Sequence, residues 1–428
     1  MSSPFCYPCR AAIKRGRKPM LRINEERFLR DLKELAQIGA TPDGGVSRPA
    51  LTTADIEGRR WFQGKIAEAG LDYKMDGAGN QSAILHSDPP SEKRILAGSH
   101  LDSVPNGGRY DGSLGVLVAF EALRTLKDSG ITLPVSLEAV NFTDEESAIM
   151  GLMGSKALVG QLTEADFERS RVDRDELMRR FSAIGITRES MLAARRDDAL
   201  AWVELHIEQG TRLETAGIDI GVVNAIVGIR SIHVTFRGEA AHAGTKPMEL
   251  RRDALWGASQ FVLRAREHVM DNYRPGVCNV GMINAKPGAF NIVPAEVYCA
   301  LEFRHGTEAA MDQMQADLLG LLEECAAEFN LSVDYESTPP VIPATMSESV
   351  MAAIERAADA LGLSRERMLS FAGHDTQNVA TIAPAAMFFV PSVDGISHNP
   401  KEFTGEADCV NGANLMLHTL LELMRSLN

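Results

Sequence analysis

The sequence predicts an α/β protein: a larger domain with a mostly parallel mixed sheet flanked by helices, and a smaller α+β domain inserted into it. Three observations carry that prediction. The chain has 428 residues, more than one hydrophobic core usually organises, so two domains are the starting expectation. Apolar runs at 95–99 and 135–142 bracket a helical pattern at about 114–128, and strand, helix, strand over that length makes a βαβ unit. The middle of the chain then follows the order βαββαβ, the ferredoxin-like arrangement.

The first helix opens on Asn24 as N-cap and carries Phe28, Leu32 and Leu35 at helical spacing, with Gly39 to close it. A second helix, 53–69, ends at Gly70, and short strand-like runs follow. In the helix 114–128, Val116, Phe120 and Leu123 share a face. Residues 229–237 alternate as a strand, 249–270 read as helix, 277–283 and 295–304 as strands, 308–329 as helix and 331–336 as strand. A helix at 347–361, a buried strand at 385–390 and a helix at 410–427 complete the chain. The expected division is therefore 20–223 with 341–428 for the larger domain and 224–340 for the insert. Residues 1–19 hold five basic and no acidic residues. They lack the apolar face of a targeting segment and read as a disordered extension, or as a start assigned too early with Met20 the true beginning.

Hydrophobic residues make up 45% and charged residues 24%, the balance of an ordinary soluble globular chain. No apolar run approaches the roughly 18–20 residues of a membrane span. A net charge of -14 argues against a nucleic-acid partner, which requires a basic surface. It leaves room for a small anionic substrate, since one arginine can bind that locally. Six cysteines are too sparse for a disulfide framework and fit a reducing, cytoplasmic setting. Cys6 and Cys9 form a lone C-x-x-C, which without a second pair is a weak signal for a metal knuckle or redox pair.

The chemistry concentrates at predicted strand ends. The segment from Gly98 to Gly112 places His100 and Asp102 just past a strand, where open α/β sheets form their binding crevice. A histidine with an aspartate two residues on suits a metal ligand whose other ring N–H is held by the carboxylate. Asp111 follows in a Gly-rich turn, where a carboxylate can approach closely and bridge two cations. The next strand runs into Asp144, Glu145 and Glu146, a costly cluster unless cations neutralise it. One of Glu145 and Glu146 can ligate while the other acts as general base on a bound water. His206 and His398 complete the candidate ligands. An isolated acidic triplet is more often a solvated turn; recurrence of histidines and carboxylates at strand ends changes that reading. His86, His233, His268 and His418 lack such settings.

These residues stand in motifs that resemble a known family. GSHLDSVPNGGRYDG, NFTDEES, HIEQG, GEAAHAGTKP, FNIVPAE, EFRH, AGHD and GISHNP occur in order. The chain resembles the amidase branch of the M20-type dinuclear metallopeptidases, which includes N-carbamoyl-L-amino-acid hydrolases, allantoate amidohydrolases and β-ureidopropionases. The likeness runs from about Met20 to the C-terminus. It implies two divalent metal ions per subunit (Zn, Mn or Co), with Asp111 bridging and His100, Glu146, His206 and His398 completing the ligands. It implies Glu145 as general base and Asp102 as the residue orienting His100. Gln209, His242, Asn291, Arg304 and Gly373 are the implied substrate contacts, with His242 supplied by the inserted domain of the partner in a homodimer. The histidine of HIEQG replaces the carboxylate usual in related peptidases, which favours a ureido amide over a peptide. Where many members carry small residues before and after the AGHD motif, this chain has Phe371 and Thr376, so both are expected near the substrate, and His374 and Asp375 behind the ligands or capping a helix.

Overall fold

Residues 20–426 are described in the computed structural model; the N-terminal extension, with Cys6 and Cys9, lies outside them. The first six strands are β1 (Asp72–Met75), β2 (Gln81–Leu85), β3 (Arg94–His100), β4 (Ser136–Phe142), β5 (Ala199–Ile207) and β6 (Ile220–Ile226). Next come β7 (Gly228–Arg237), β8 (Ala241–His242), β9 (Val277–Lys286), β10 (Ile292–Val293), β11 (Glu296–His305) and β12 (Ser332–Ser337). The last three are β13 (Ala344–Thr345), β14 (Arg365–Ser370) and β15 (Ala385–Val390).

The larger sheet has the order β1-β2-β4-β3-β5-β15-β6-β13, with β14 also paired to β6. It is mixed: β4, β3, β5 and β15 run parallel at its centre, and antiparallel pairs flank them. Every residue of β4 and β15 is buried; β15 reads as the unbroken apolar run of a central strand, whereas β4 also buries Ser136, Glu138 and Asn141. The two faces separate by alternation: Ile95 and Ala97 join the main core, while Leu96 turns to a second cluster with Phe142 and Trp202. Helices Glu25–Leu35, Ser113–Ser129, Glu348–Leu361 and Glu406–Ser426 bury their apolar faces in the main core. Asn24 caps the first by accepting from Arg27 N at 3.0 Å. That helix ends at Leu35, with Gly39 in the turn beyond at φ +80°.

The smaller sheet is antiparallel, ordered β12-β7-β11-β9. Its strands, with helices Ala254–Asn272 and Glu308–Glu328, follow the βαββαβ sequence. Alternation along β11 sends Val297, Cys299, Leu301 and Phe303 into a core shared with those helices. The first of the two begins at Ala254, later than the sequence pattern suggests. Asp253 accepts from Leu255 N at 2.9 Å and starts the helix there, while Met248–Leu250 form a separate 3-10 turn.

Between Glu146 and β5, where no element was read from the sequence, four short helices form: Met153–Val159, Glu164–Glu168, Arg174–Ile184 and Arg188–Leu192. They gather Phe167, Phe181 and Met191 into a small core of their own. Most are shorter than the window over which helical periodicity is legible. Among the described residues, no helix is long and apolar enough to cross a membrane.

Candidate metal centre

Strands β4, β3, β5 and β15 end on one rim of the sheet. His100 is the last residue of β3, and Glu145 and Glu146 lie just beyond β4. His206 is next to last in β5, and His398 sits on the loop after β15. The chain leaves β3 for β4 on one side while β5 lies on the other, so the rim between them is a topological switch point. Asp111 enters from the turn before helix Ser113–Ser129. Gly112 in that turn has φ +60°, and a Cβ there would stand 2.3 Å from the His100 ring. No side chain fits between Asp111 and His100.

Three sets of three donors converge within 4.8 Å: His100, Asp111 and His206; His100, Glu145 and Glu146; and Asp111, Glu146 and His398. Asp111 belongs to the first and the last. Its Oδ1 is 3.2 Å from His206 Nε2 and 3.5 Å from His100 Nε2. Its Oδ2 is 3.7 Å from His398 Nε2, which is 3.5 Å from Glu146 Oε2. His100 Nδ1 lies 2.9 Å from the Asp102 carbonyl and His206 Nδ1 lies 3.0 Å from the Ile207 carbonyl. A carbonyl only accepts, so both Nδ1 atoms carry a proton and both Nε2 atoms face the site. His374 packs edge-on to His206 with centroids 4.5 Å apart, and its Nε2 bonds Ser370 Oγ. Glu145 falls outside the two sets that share Asp111 and joins His100 and Glu146 in the third; its Oε2 is 3.7 Å from His100 Nε2.

Asp102 acts differently from the sequence expectation. Its carbonyl, not its carboxylate, takes the His100 N–H. The carboxylate is 3.7 Å from that nitrogen and accepts from the backbone N–H groups of Glu145 at 3.3 Å and Glu146 at 3.1 Å. Asp102 thus orients His100 through its backbone and holds the acidic loop through its side chain. Asp144, Ser147, Gln209 and His398 all adopt positive φ, strain of the kind that gathers at functional sites.

The remaining candidates divide. Gln209 and Gly373 line a cavity of about 320 Å³ together with Asp111, Glu145, Glu146 and His398, and Gln209 Nε2 donates to Asp111 Oδ2 at 2.7 Å. Arg304, on β11, donates to the Phe371 carbonyl at 2.7 Å and to Glu302 at 2.8 Å. His242 pairs with Ile292 in the β8–β10 ladder, and just beyond it Ala243 N donates to the Asn291 carbonyl at 3.0 Å. Neither His242 nor Asn291 lines that cavity. Phe371 is half-buried and lines a neighbouring pocket that shares Gln209 and Ala372 with the cavity. Thr376 corrects an expectation: it is buried, accepts from Trp202 Nε1 and donates to Glu204, both at 2.6 Å. His374, not Asp375, is the N-cap of helix Asp375–Val379. Two site residues escaped the sequence reading, Ser397 and Glu402. The acid in Asn399-Pro-Lys-Glu is one of many single glutamates, and nothing in its spacing marks it.

Residues 96–422 match the peptidase family M20/M25/M40. The chain belongs to that family. It is 36% identical to the N-carbamoyl-L-amino acid amidohydrolase of Geobacillus stearothermophilus, covering 94% of this chain and 99% of that protein. It is 34% identical to the allantoate amidohydrolase of Bacillus subtilis over 91% of this chain and 95% of that one. A solved structure described as a putative amidohydrolase/peptidase from Burkholderia cenocepacia superimposes with a TM-score of 0.88 at 37% identity, covering 95% of this chain and 100% of that one.

In this M20/M25/M40 member the donor set suits divalent cations. Burial drives Glu145 well above the usual carboxylate range, and burial with Asp111 pushes Glu146 up to about 8. Although desolvation opposes its charge, His206 is raised to about 9 by Asp111. Such a cluster holds protons in place of cations, and cations would release them. Among the described residues, Glu146 Oε1 and Gln209 Oε1 are buried with no hydrogen-bond partner.

Proposed function

We propose that this protein hydrolyses the carbamoyl C–N bond of N-carbamoyl-L-amino acids, yielding the amino acid, ammonia and carbon dioxide. One observation carries the reading: a two-set donor cluster sharing Asp111, with a histidine at 206, in a chain 36% identical to an N-carbamoyl-L-amino acid amidohydrolase over nearly its whole length.

His100, Asp111 and His206 would hold one divalent ion and Asp111, Glu146 and His398 the other, zinc, manganese or cobalt. Bound there, two ions supply Lewis acidity toward a carbonyl oxygen and a water made acidic near neutral pH. Glu145, outside the two sets that share Asp111, takes the water's proton and returns it to the leaving amine. Arg304, next to last in β11, carries a planar guanidinium suited to a substrate carboxylate; the Phe371 carbonyl holds it, and substrate would draw it away. Gln209 and Gly373 line the cavity beside the ureido group.

His242 and Asn291 lie away from the cavity of their own chain, so we assign them to the cavity of a second copy, with His242 donating to the developing oxyanion. Phe290, beside Asn291, is fully exposed, as expected of a side chain that packs on a partner. The unpaired edge of β9 carries exposed Met282 and Ile283. The division into 20–223 with 341–428 and 224–340, the latter a lid that closes over the site and the dimer contact, belongs to this proposal. So does a cytoplasmic setting, supported by the free thiols Cys278, Cys299, Cys325 and Cys409.

A second reading, allantoate hydrolysis, rests on the 34% identity to the Bacillus subtilis enzyme; the chemistry is the same on a diureido acid. The test is ammonia release from N-carbamoyl-amino acids, allantoate, β-ureidopropionate and a dipeptide, each with Zn, Mn or Co. Highest kcat/KM on an N-carbamoyl-α-amino acid supports the proposal. Highest kcat/KM on allantoate or β-ureidopropionate replaces the substrate, and peptide cleavage without ammonia overturns it.

A further inference from the structure

Glu402 lies behind Asp111, only 2% exposed. Its Oε1 accepts from two consecutive backbone N–H groups, Tyr110 at 3.0 Å and Asp111 at 3.1 Å. Its Oε2 is 3.0 Å from Ser397 Oγ, which is also 3.0 Å from Asp111 Oδ2. Gln209 Nε2 reaches the same hydroxyl at 3.2 Å. One carboxylate therefore grips the backbone that carries Asp111 and the residue next to His398, two segments far apart in the chain. The space it fills exists because residue 108 is glycine: a Cβ there would stand 1.9 Å from the Glu402 carboxyl carbon.

The two donor sets that share Asp111 differ in how firmly their histidines are held. His100 and His206 are buried and anchored through Nδ1 to neighbouring carbonyls. The His398 side chain is 51% exposed, and no hydrogen bond among the described residues anchors its ring. Its position depends on the 397–402 loop, and that loop is tied to Asp111 through Glu402 and Ser397. We infer that Glu402 is a positioning residue that registers Asp111 against His398 and so assembles the Asp111–Glu146–His398 half of the centre. This rests on the dinuclear reading above.

Gln suits the same place: its Oε1 can accept both backbone N–H groups and its Nε2 can donate to Ser397, whose hydroxyl then donates to Asp111. The experiment is zinc titration by calorimetry and metal content by mass spectrometry on wild type, Glu402→Ala, Glu402→Gln, Gly108→Ala and His398→Ala. Circular dichroism confirms folding. Glu402→Ala should weaken one of two zinc ions about 10–100-fold, the scale for losing a group that orients a ligand, leaving the other near wild-type affinity. Gly108→Ala should reproduce that loss with Glu402 present but displaced, and Glu402→Gln should retain both ions. If Glu402→Ala and Gly108→Ala bind two ions as tightly as wild type while His398→Ala loses one, the inference is overturned. If His398→Ala also keeps both, the ligand assignment itself is what fails. A loss in Glu402→Gln as large as in Glu402→Ala would overturn the positioning role in favour of a requirement for the charge.

Discussion

His206 Nε2 stands 3.2 Å from Asp111 Oδ1, while its Nδ1 proton is committed to the Ile207 carbonyl at 3.0 Å. A ring held this way offers one nitrogen to a cation in one direction. The hydrogen bond uses the residue's own neighbour in β5, so the orientation follows from strand geometry at that position.

Removing that nitrogen should cost a metal ion. His206→Ala is expected to lose one of two bound ions, with an affinity drop beyond the roughly 10–100-fold seen for residues that merely support a ligand. Metal content after gel filtration reads this directly; two retained ions would remove His206 from the ligand set.

Glu145 should separate chemistry from binding. In Glu145→Gln, kcat is expected to fall about 10²–10⁴-fold, the range for losing a general acid–base, with both ions retained. Ammonia release and metal content measured on one preparation check it. Near-normal turnover would assign the proton to another group.

Glu138, in the middle of β4, governs acid stability. It accepts from Arg196 at 2.6 and 2.8 Å, Arg94 at 2.8 Å and Ser82 at 2.6 Å. Burial alone would raise its pKa, but the Arg196 hydrogen bonds and charge overcome this and bring it down to about 2 from the usual 4.5. A depressed carboxylate stabilises the fold above its unfolded value and loses that contribution as pH falls through the folded one. Wild type should therefore lose about 3 kcal/mol through this group between pH 4.5 and 2. Urea unfolding of wild type and Glu138→Gln at pH 5 and pH 3 should show the wild-type advantage shrinking with acid; a constant gap contradicts the assignment.

The dimer proposal makes a complementation prediction. His242→Ala and Glu145→Gln should each be inactive alone. Co-expressed, half of randomly paired dimers are hybrids with one intact site, so about a quarter of wild-type activity should return. If His242 serves its own chain, the mixture stays inactive.

Much of the site was visible as strings of residues because its ligands are local to strand ends. His100 lies at the end of an apolar run, with its anchoring Asp102 two positions later, and Glu145 and Glu146 directly follow another. The larger βαβ unit and the βαββαβ insert were likewise legible from apolar runs and alternation. The helices between Met153 and Leu192 were not, since each is brief and three of the four start on Thr or Asp caps whose effect is local. Asp102 shows the limit of spacing arguments. H-x-D suggested a carboxylate-to-imidazole bond, but the backbone carbonyl stood closer and the carboxylate turned to the Glu145 and Glu146 amides.

By itself, then, the sequence determined the donor types, their places after parallel strands, and hence a metal-centred hydrolytic chemistry. The tertiary structure decided how they combine: His100 with His206 on one oxygen of Asp111, and Glu146 with His398 beside the other. It also decided that Arg304 rests on the Phe371 carbonyl, that Thr376 is buried against Glu204, and that Glu402 ties Asp111 to Ser397. The physical reason is the range of the interactions. Strand ends, caps and glycine turns are set by residues a few positions apart, whereas a carboxylate shared by two distant loops leaves no period or motif in the chain that carries it.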